Sequence, residues 1–336
     1  MEDLRHTGTE VSCSDRLKMS GKTSVSAAGY RYFYFFMMLP VYIFIVCSNC
    51  TIISLIVIHK NLHEPMYLFI AGLLINSVLF STNIYPKLLT DLLATKQVIS
   101  YQACLFQVFV FYSFSCSEFL LLAAMSYDRY VSICKPLQYT IIMRRTIVFV
   151  LLGLAWIVPF CHLCVLVGGN VKSELCSSTL NGIFCNNSLN FLFCAGSKAL
   201  LTFGLVTLFN IAILPMLFVI FTYIKILLVV NKSCREVRRK AAQTCLPHLL
   251  VLINYSCLMI YDIIIIRLES DFSKTARFIM TLQMIMYNPL CNPFIYGLKM
   301  TEIYKHLKKL FYLSIAISAS TAKKGKKNSK KHCNTI

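Results

Sequence analysis

The chain has 336 residues, of which 57% are apolar and only 14% are charged, and its formal net charge is +19. A soluble domain of this length would hold about 25% charged residues scattered among its apolar ones. Here the apolar residues are pooled in long uncharged runs, which excludes an ordinary water-soluble globule and points to lipid as the solvent. The runs are also too continuous for the alternating strands of a membrane barrel.

Taken in chain order, residues 1–31 balance acids and bases and lack an apolar core, so no cleavable signal peptide is expected. The uncharged run between Arg31 and His59 is then the first span and inserts as its own signal. Further runs follow from Glu64 to Lys87, from Lys96 to Asp128 (broken only by Glu118), and from Arg145 to Lys172. The last three run from Lys198 to Lys225, Lys240 to Asp262 and Arg277 to Lys299. Each has the roughly 20 residues that a helix needs to cross a hydrocarbon core of ~30 Å. The expectation is an all-α fold, a seven-transmembrane helix bundle over residues 32–298. An outer loop of about residues 168–198 separates the fourth and fifth spans. After the last span, Ile303, Leu307 and Leu310 alternate with Lys305, Lys308 and Lys309, which predicts a short amphipathic juxtamembrane helix over residues 299–313. A basic, polar tail over residues 314–336 is expected to be disordered. No internal repeat is visible, which weighs against a transporter built from duplicated halves.

The lysines and arginines set the orientation. The connection after span three holds Lys135, Arg144 and Arg145, and that after span five holds Lys232, Arg235, Arg238, Arg239 and Lys240. The tail adds Lys323, Lys324, Lys326, Lys327, Lys330 and Lys331. Opposite-side connections mix signs, as in Asp91 with Lys96 or Lys172 with Glu174. The basic side is therefore read as cytoplasmic and the N-terminus (residues 1–31) as extracellular, in a multi-pass plasma-membrane protein. The excess charge reads as topology and attraction to anionic membrane lipid, with no nucleic acid partner.

Of the 16 cysteines, Cys104 at the outer start of span three and Cys176, Cys185 and Cys194 in the outer loop lie together on the oxidising side. A bridge from Cys104 to the loop would pull that loop across the mouth of the bundle, and four cysteines allow three pairings. Cys47-x-x-Cys50 and Cys161-x-x-Cys164 have metal or redox spacing but lie in lipid-embedded helices, so they read as small apolar residues.

An ionisable side chain inside a span is a functional candidate. Glu118 must face the bundle interior, with Asn292 and Asn76 as expected neighbours, either as an ion or water site or as a protonated, hydrogen-bonded carboxyl. Asp128-Arg129-Tyr130 ends span three at the inner face, where Arg129 is a snorkelling anchor or half of a latch with Asp128. Pro215, Pro247, Pro289 and Pro293 each remove a backbone bond and permit a kink, and Asn292-Pro293 leaves a free carbonyl beside an amide.

Four motifs in order resemble vertebrate odorant receptors, a rhodopsin-like class of G-protein-coupled receptors. They are Leu62-His63-Glu64-Pro65-Met66-Tyr67; Met125-Ser126-Tyr127-Asp128-Arg129-Tyr130-Val131-Ser132-Ile133-Cys134-Lys135-Pro136-Leu137; Lys240-Ala241-Ala242-Gln243-Thr244-Cys245-Leu246-Pro247-His248-Leu249; and Asn292-Pro293-Phe294-Ile295-Tyr296. The similarity covers about residues 30–312, and Pro247-His248-Leu249 with Asn76-Ser77 is similar to the fish branch. The resemblance implies that a small-molecule odorant binds inside the bundle and that a heterotrimeric G protein of the stimulatory, olfactory type couples to it, raising cyclic AMP. It implies the pairing Cys104–Cys185 with Cys176–Cys194, and a G-protein switch of Asp128, Arg129, Tyr130, Tyr223, Asn292, Pro293 and Tyr296. It implies no cofactor and no enzymatic activity. Two departures stand out. Ser77 occupies the position where many rhodopsin-like receptors hold an aspartate, so a sodium site would depend on Glu118 alone. The N-terminal segment has no asparagine, which leaves Asn186 as the outer glycosylation candidate.

Helical counting from Cys104 places Phe111, Tyr112, Ser115 and Cys116 on one inward face. At similar depth stand Phe203, Thr207 and Asn210 in span five, Tyr255, Met259 and Asp262 in span six, and Leu282 and Gln283 in span seven. Ordinary interhelical packing accounts for many of these, and Asp262 either pairs with Arg267 or meets a polar ligand. Phe111 where an amine receptor would need aspartate, and Trp156 as the only tryptophan, argue against an amine or peptide receptor. A channel should show charges on several facing helices. An intramembrane enzyme would need a paired acid or a metal set, and His59 with His63-Glu64 has the wrong order for a zinc helix.

Overall fold

The computed structural model describes residues 16–19, 28–94, 97–177, 179–180, 184–186, 189, 192–194, 197–232, 236, 239, 245–246, 249–260 and 274–312. Among the described residues the longer helical segments are α1 (Ala28–Ile58), α2 (Pro65–Leu93), α3 (Tyr101–Cys134), α4 (Arg145–Asn170), α5 (Lys198–Asn231), α6 (Leu249–Ile260) and α7 (Lys274–Lys299). A further helix, α8, spans residues 301–312, and a single helical turn, Tyr139–Ile142, lies between α3 and α4. Their starts follow from local chemistry. Pro65 opens α2, where its missing N–H costs nothing. The Ser100 hydroxyl accepts from the Ala103 N–H at the start of α3, and Ser197 does the same for Leu200 in α5.

Among the described residues, the five segments α1 to α5 contain helices long and apolar enough to cross a bilayer, which makes the chain a multi-pass membrane protein. The described part of α6 is a shorter apolar helix. Helix α3 is the hub, packing against α2, α4 and α5, while α1 and α7 close on α2. The helices turn large apolar side chains outward: along α5, Leu205, Leu217, Phe221 and Leu228 are exposed while Thr207, Val219, Tyr223 and Ile226 are buried. That is the pattern of a bundle solvated by acyl chains.

The end that the charge pattern assigns to the outside is roofed. Strand β1 (Arg16–Met19) is the centre of a three-stranded sheet, pairing antiparallel with β2 (Val98–Ser100) and parallel with β3 (Thr179–Leu180). Leu17 opposite Ile99 is buried in an outer cluster with Cys104, Leu105, Leu180, Cys185, Leu189 and Leu192. Cys104 at the head of α3 is bonded to Cys185, and Cys176 to Cys194 with a Cα–Cα distance of 4.8 Å. The second bridge closes a hairpin in which Leu175 faces Phe193. Of the three pairings open to the four cysteines, this is the one the family resemblance implies.

Candidate functional site

The interior divides into an aromatic outer tier, a polar middle and a charged inner end, all built on α3. In the outer tier Phe111 is fully buried, with ring centroids 5.1 Å from Phe80 and 5.0 Å from Phe184, both tilted, and 4.9 Å from Tyr112, edge to face. Phe184 comes from the loop, carried inward by its bonded neighbour Cys185. The Cys185 N–H donates to the Gln107 Oε1 at 3.0 Å, and Gln107 and Asn83 exchange bonds with each other's backbone carbonyls, so α2, α3 and the loop are tied together. Below this, Ser115 is buried and Tyr255 of α6 donates its hydroxyl proton to the Ser115 carbonyl at 2.6 Å. Tyr255 also packs on Phe119 with ring centroids 4.8 Å apart, and Met259 is buried. Tyr112, Cys116 and Leu282 are half-buried.

Two expected site residues are not in this interior. Asn210 is exposed because α5 contains a π turn over Phe209–Ile213. Its extra residue breaks the 3.6-residue count and brings Ile211, not Asn210, inward. Gln283 is exposed as well, since α7 presents Met284 and Ile285 to the core. Phe203 and Thr207 do face a partner, on α4: His162 Nδ1 is 3.2 Å from the Thr207 hydroxyl, and its ring stacks on Phe203 at 5.6 Å. Asp262, Pro247, Asn187, Ser188 and residues 314–336 lie outside the described residues. The recess lined by Ile75, Leu79, Phe114, Trp156, Ile157, Phe160 and Cys161 sits on the flank between α2, α3 and α4, away from the aromatic tier.

In the middle, Glu118 is buried and accepts from the Asn292 Nδ2 at 3.2 Å; the same amide donates to the Ser77 hydroxyl at 3.0 Å. Asn292 is thus the expected neighbour of Glu118, but Asn76 is not. Its amide donates to the Phe114 carbonyl and its oxygen accepts from the Trp156 indole, pinning α2 to α3 and α4. Pro293 has no N–H, so the Pro289 carbonyl one turn earlier has no helical donor. Asn49 of α1 supplies one at 3.0 Å.

At the inner end Asp128 is fully buried. Its Oδ2 accepts from Arg129 at 2.6 and 3.1 Å, and its Oδ1 accepts from the Tyr139 hydroxyl at 2.8 Å. Burial, and after it the Asp128 carboxylate, raise the Tyr139 phenol above its ordinary value, so it stays a donor. Tyr223 of α5 is buried, as are Cys245 and Tyr296. Sequence reading missed Tyr139, Asn49, His162, Gln107 and Phe184. Only Asn49 left a usable trace, as an amide inside an apolar span.

Comparison with known proteins agrees with this architecture. Residues 37–313 match the sequence profile of the olfactory receptor family. The chain is 33% identical to olfactory receptor 4B13 of Mus musculus over 272 residues, covering 80% of this chain and 88% of that one. It is 34% identical to olfactory receptor 2A12 of Homo sapiens, covering 79% and 86%, and 31% identical to olfactory receptor 4B1 of Homo sapiens, covering 82% and 89%. This is a family of receptors, not of enzymes, and on these grounds the chain belongs to the olfactory receptor family.

Proposed function

We propose that this receptor detects a small-molecule odorant within its helix bundle and activates a heterotrimeric G protein of the stimulatory, olfactory type, raising cyclic AMP. The bundle has seven spans in the plasma membrane, with residues 1–31 outside and α8 and the basic tail in the cytoplasm. The ligand lies among Phe111, Tyr112, Ser115, Cys116, Tyr255, Met259 and Leu282, with Asp262 at the outer end of span six and Phe203 and Thr207 toward α4. The observation that carries this reading is the Tyr255 hydroxyl on the Ser115 carbonyl. It sets α6 against α3 just below the aromatic tier, so a guest that displaces the Tyr255 side chain acts directly on how the two helices pack. An odorant that binds the altered arrangement better shifts the population toward it. The inner end of α6 then moves out, and Arg129 leaves Asp128 for the G protein, with Tyr130, Tyr223, Asn292, Pro293 and Tyr296 completing the switch. Glu118 with Asn292 forms a water or ion site that favours the resting packing. Asn186 carries an outer-face glycan.

The test is expression with a cyclic-AMP reporter and the olfactory G protein, screened with an odorant panel. Activating odorants should lose their effect in Arg129→Ala and Cys104→Ser at equal surface level. Responses that survive both substitutions refute the mechanism, and accessibility labelling that places residue 1 in the cytosol refutes the topology.

A further inference from the structure

We propose that His59 and His306 form a proton-operated clasp that holds α8 against the connection between α1 and α2. Their rings lie 3.9 Å apart, centroid to centroid, at 49°. His59 is the first residue after α1 and donates from Nδ1 to the Leu55 carbonyl at 3.1 Å, which leaves Nε2 as the place where a further proton would add. His306 comes from the middle of α8, and its Nε2 is 3.2 Å from the Asn61 Nδ2. An imidazole nitrogen that accepts from an amide N–H must be unprotonated. With the Asn61 amide N–H donating, His306 is a neutral ring, while the Leu55 bond fixes only which nitrogen of His59 donates.

Protonation of His306 turns its Nε2 into a donor that meets the amide N–H of Asn61. Turning the amide over would restore that bond, but nothing relieves a second proton on His59, because two imidazolium ions at this separation repel. The surroundings add to the effect. On α8 itself stand Lys305, Lys309 and Glu302, and the acid is engaged by Lys305 at 2.7 Å. The connection adds Lys60, His63 and Glu64, with His63 Nε2 3.2 Å from the Val57 carbonyl. Burial, then His59, and with them the two lysines hold His306 below its ordinary value, with Glu302 opposing. A histidine depressed in the clasped state takes up its proton more readily when released. The clasp is thus intact above the ordinary imidazole range and weakens as pH falls below it. Release loosens the lysine-bearing side of α8 without detaching the helix, since Ile303 is fully buried and Leu307 packs under Gly297. The histidine pair thereby makes the α8 face responsive to acidification.

A double-mutant cycle tests this without any ligand. Full-length receptor in lipid nanodiscs is unfolded thermally as wild type, His59→Gln, His306→Gln and the double variant, at about pH 7.5 and about pH 5.5, on either side of the imidazole range. The expected result is a stabilising coupling at the higher pH that vanishes or turns repulsive at the lower. Wild type should lose about 2 °C more than the double variant over the same interval. His306→Lys at the higher pH should behave like acidified wild type, and His306→Asn replaces the glutamine variant if that one folds poorly. A coupling equal at both pH values, absent at both, or stronger in acid overturns the proposal.

Discussion

Replacing Tyr139 by phenylalanine removes one hydroxyl and should raise ligand-independent signalling. That hydroxyl is one of two donors to the Asp128 carboxylate, the other being the Arg129 guanidinium. Hydrogen bonds to charged groups contribute about 1.5–3 kcal/mol. Tyr139 is half-buried and water can partly replace it, so its contribution falls at or below the bottom of that range, about 1–1.5 kcal/mol. If activation requires Asp128 and Arg129 to part, losing this support weakens the resting state by that amount. At about 1.4 kcal/mol per factor of ten, the active fraction rises roughly five- to twelvefold from its basal level. The assay is cyclic-AMP production without odorant, normalised to receptor at the cell surface, in wild type, Tyr139→Phe, Asp128→Asn and the double variant. Because both substitutions act on one network, the double variant should exceed Asp128→Asn alone by much less than the product of the single effects. Basal signalling in Tyr139→Phe at or below wild type, at equal surface density, would refute the reasoning. Since the phenol sits above its ordinary value, the bond persists through the physiological range and is lost only as pH rises through that displaced value.

Two further expectations concern packing. Asn49→Leu leaves the Pro289 carbonyl without a donor and should cost about 1–3 kcal/mol, read as a lower unfolding temperature in nanodiscs; an unchanged temperature would mean that α7 satisfies its own kink. Gly72→Ala places a methyl 2.8 Å from the Leu152 Cδ2 where α2 and α4 approach, so the tip of that leucine must turn aside at a cost of about 0.5–1.5 kcal/mol, and Leu152→Ala in the same chain should remove that clash.

What could be read from the residues alone divides along physical lines. Lipid-solvated helices announce themselves because the cost of burying charge in hydrocarbon leaves long uncharged runs, and α1 to α5 fall where those runs lie. Glu118 and Asn292 were legible for the same reason, since a polar group in lipid must find a partner and each is the other's. Counting at 3.6 residues per turn served α3 but failed at Asn210, because a π turn has no signature in residue type. Asn76 was assigned to the wrong neighbour because an amide can satisfy itself on a backbone carbonyl and an indole as readily as on a carboxylate. Strand β1 and Phe184 were invisible, since both are placed by long-range pairing and a disulfide rather than by local pattern.

The distribution of bonds along α3 also suggests why the receptor can be switched at all. Three neighbours are tied to it by one or two hydrogen bonds each: α6 through Tyr255 and Ser115, α7 through Asn292 and Glu118, and the inner connection through Tyr139 and Asp128. Each such bond contributes about 0.5–3 kcal/mol net, so no single tie locks the bundle, while the three together separate resting and active packing by a few kcal/mol. Moving an equilibrium from 1:99 to 99:1 takes about 5.5 kcal/mol of differential affinity. An odorant's total binding free energy is at best about 1.5 kcal/mol per non-hydrogen atom, and only the part that differs between the two packings moves the equilibrium. A gap of a few kcal/mol is therefore what such a ligand can close, and a bundle welded by buried ion pairs between its helices would be deaf to it. The ion pairs described here obey that limit: Lys87–Asp91, Arg129–Asp128 and Lys305–Glu302 each join residues of one helix, and none bridges two.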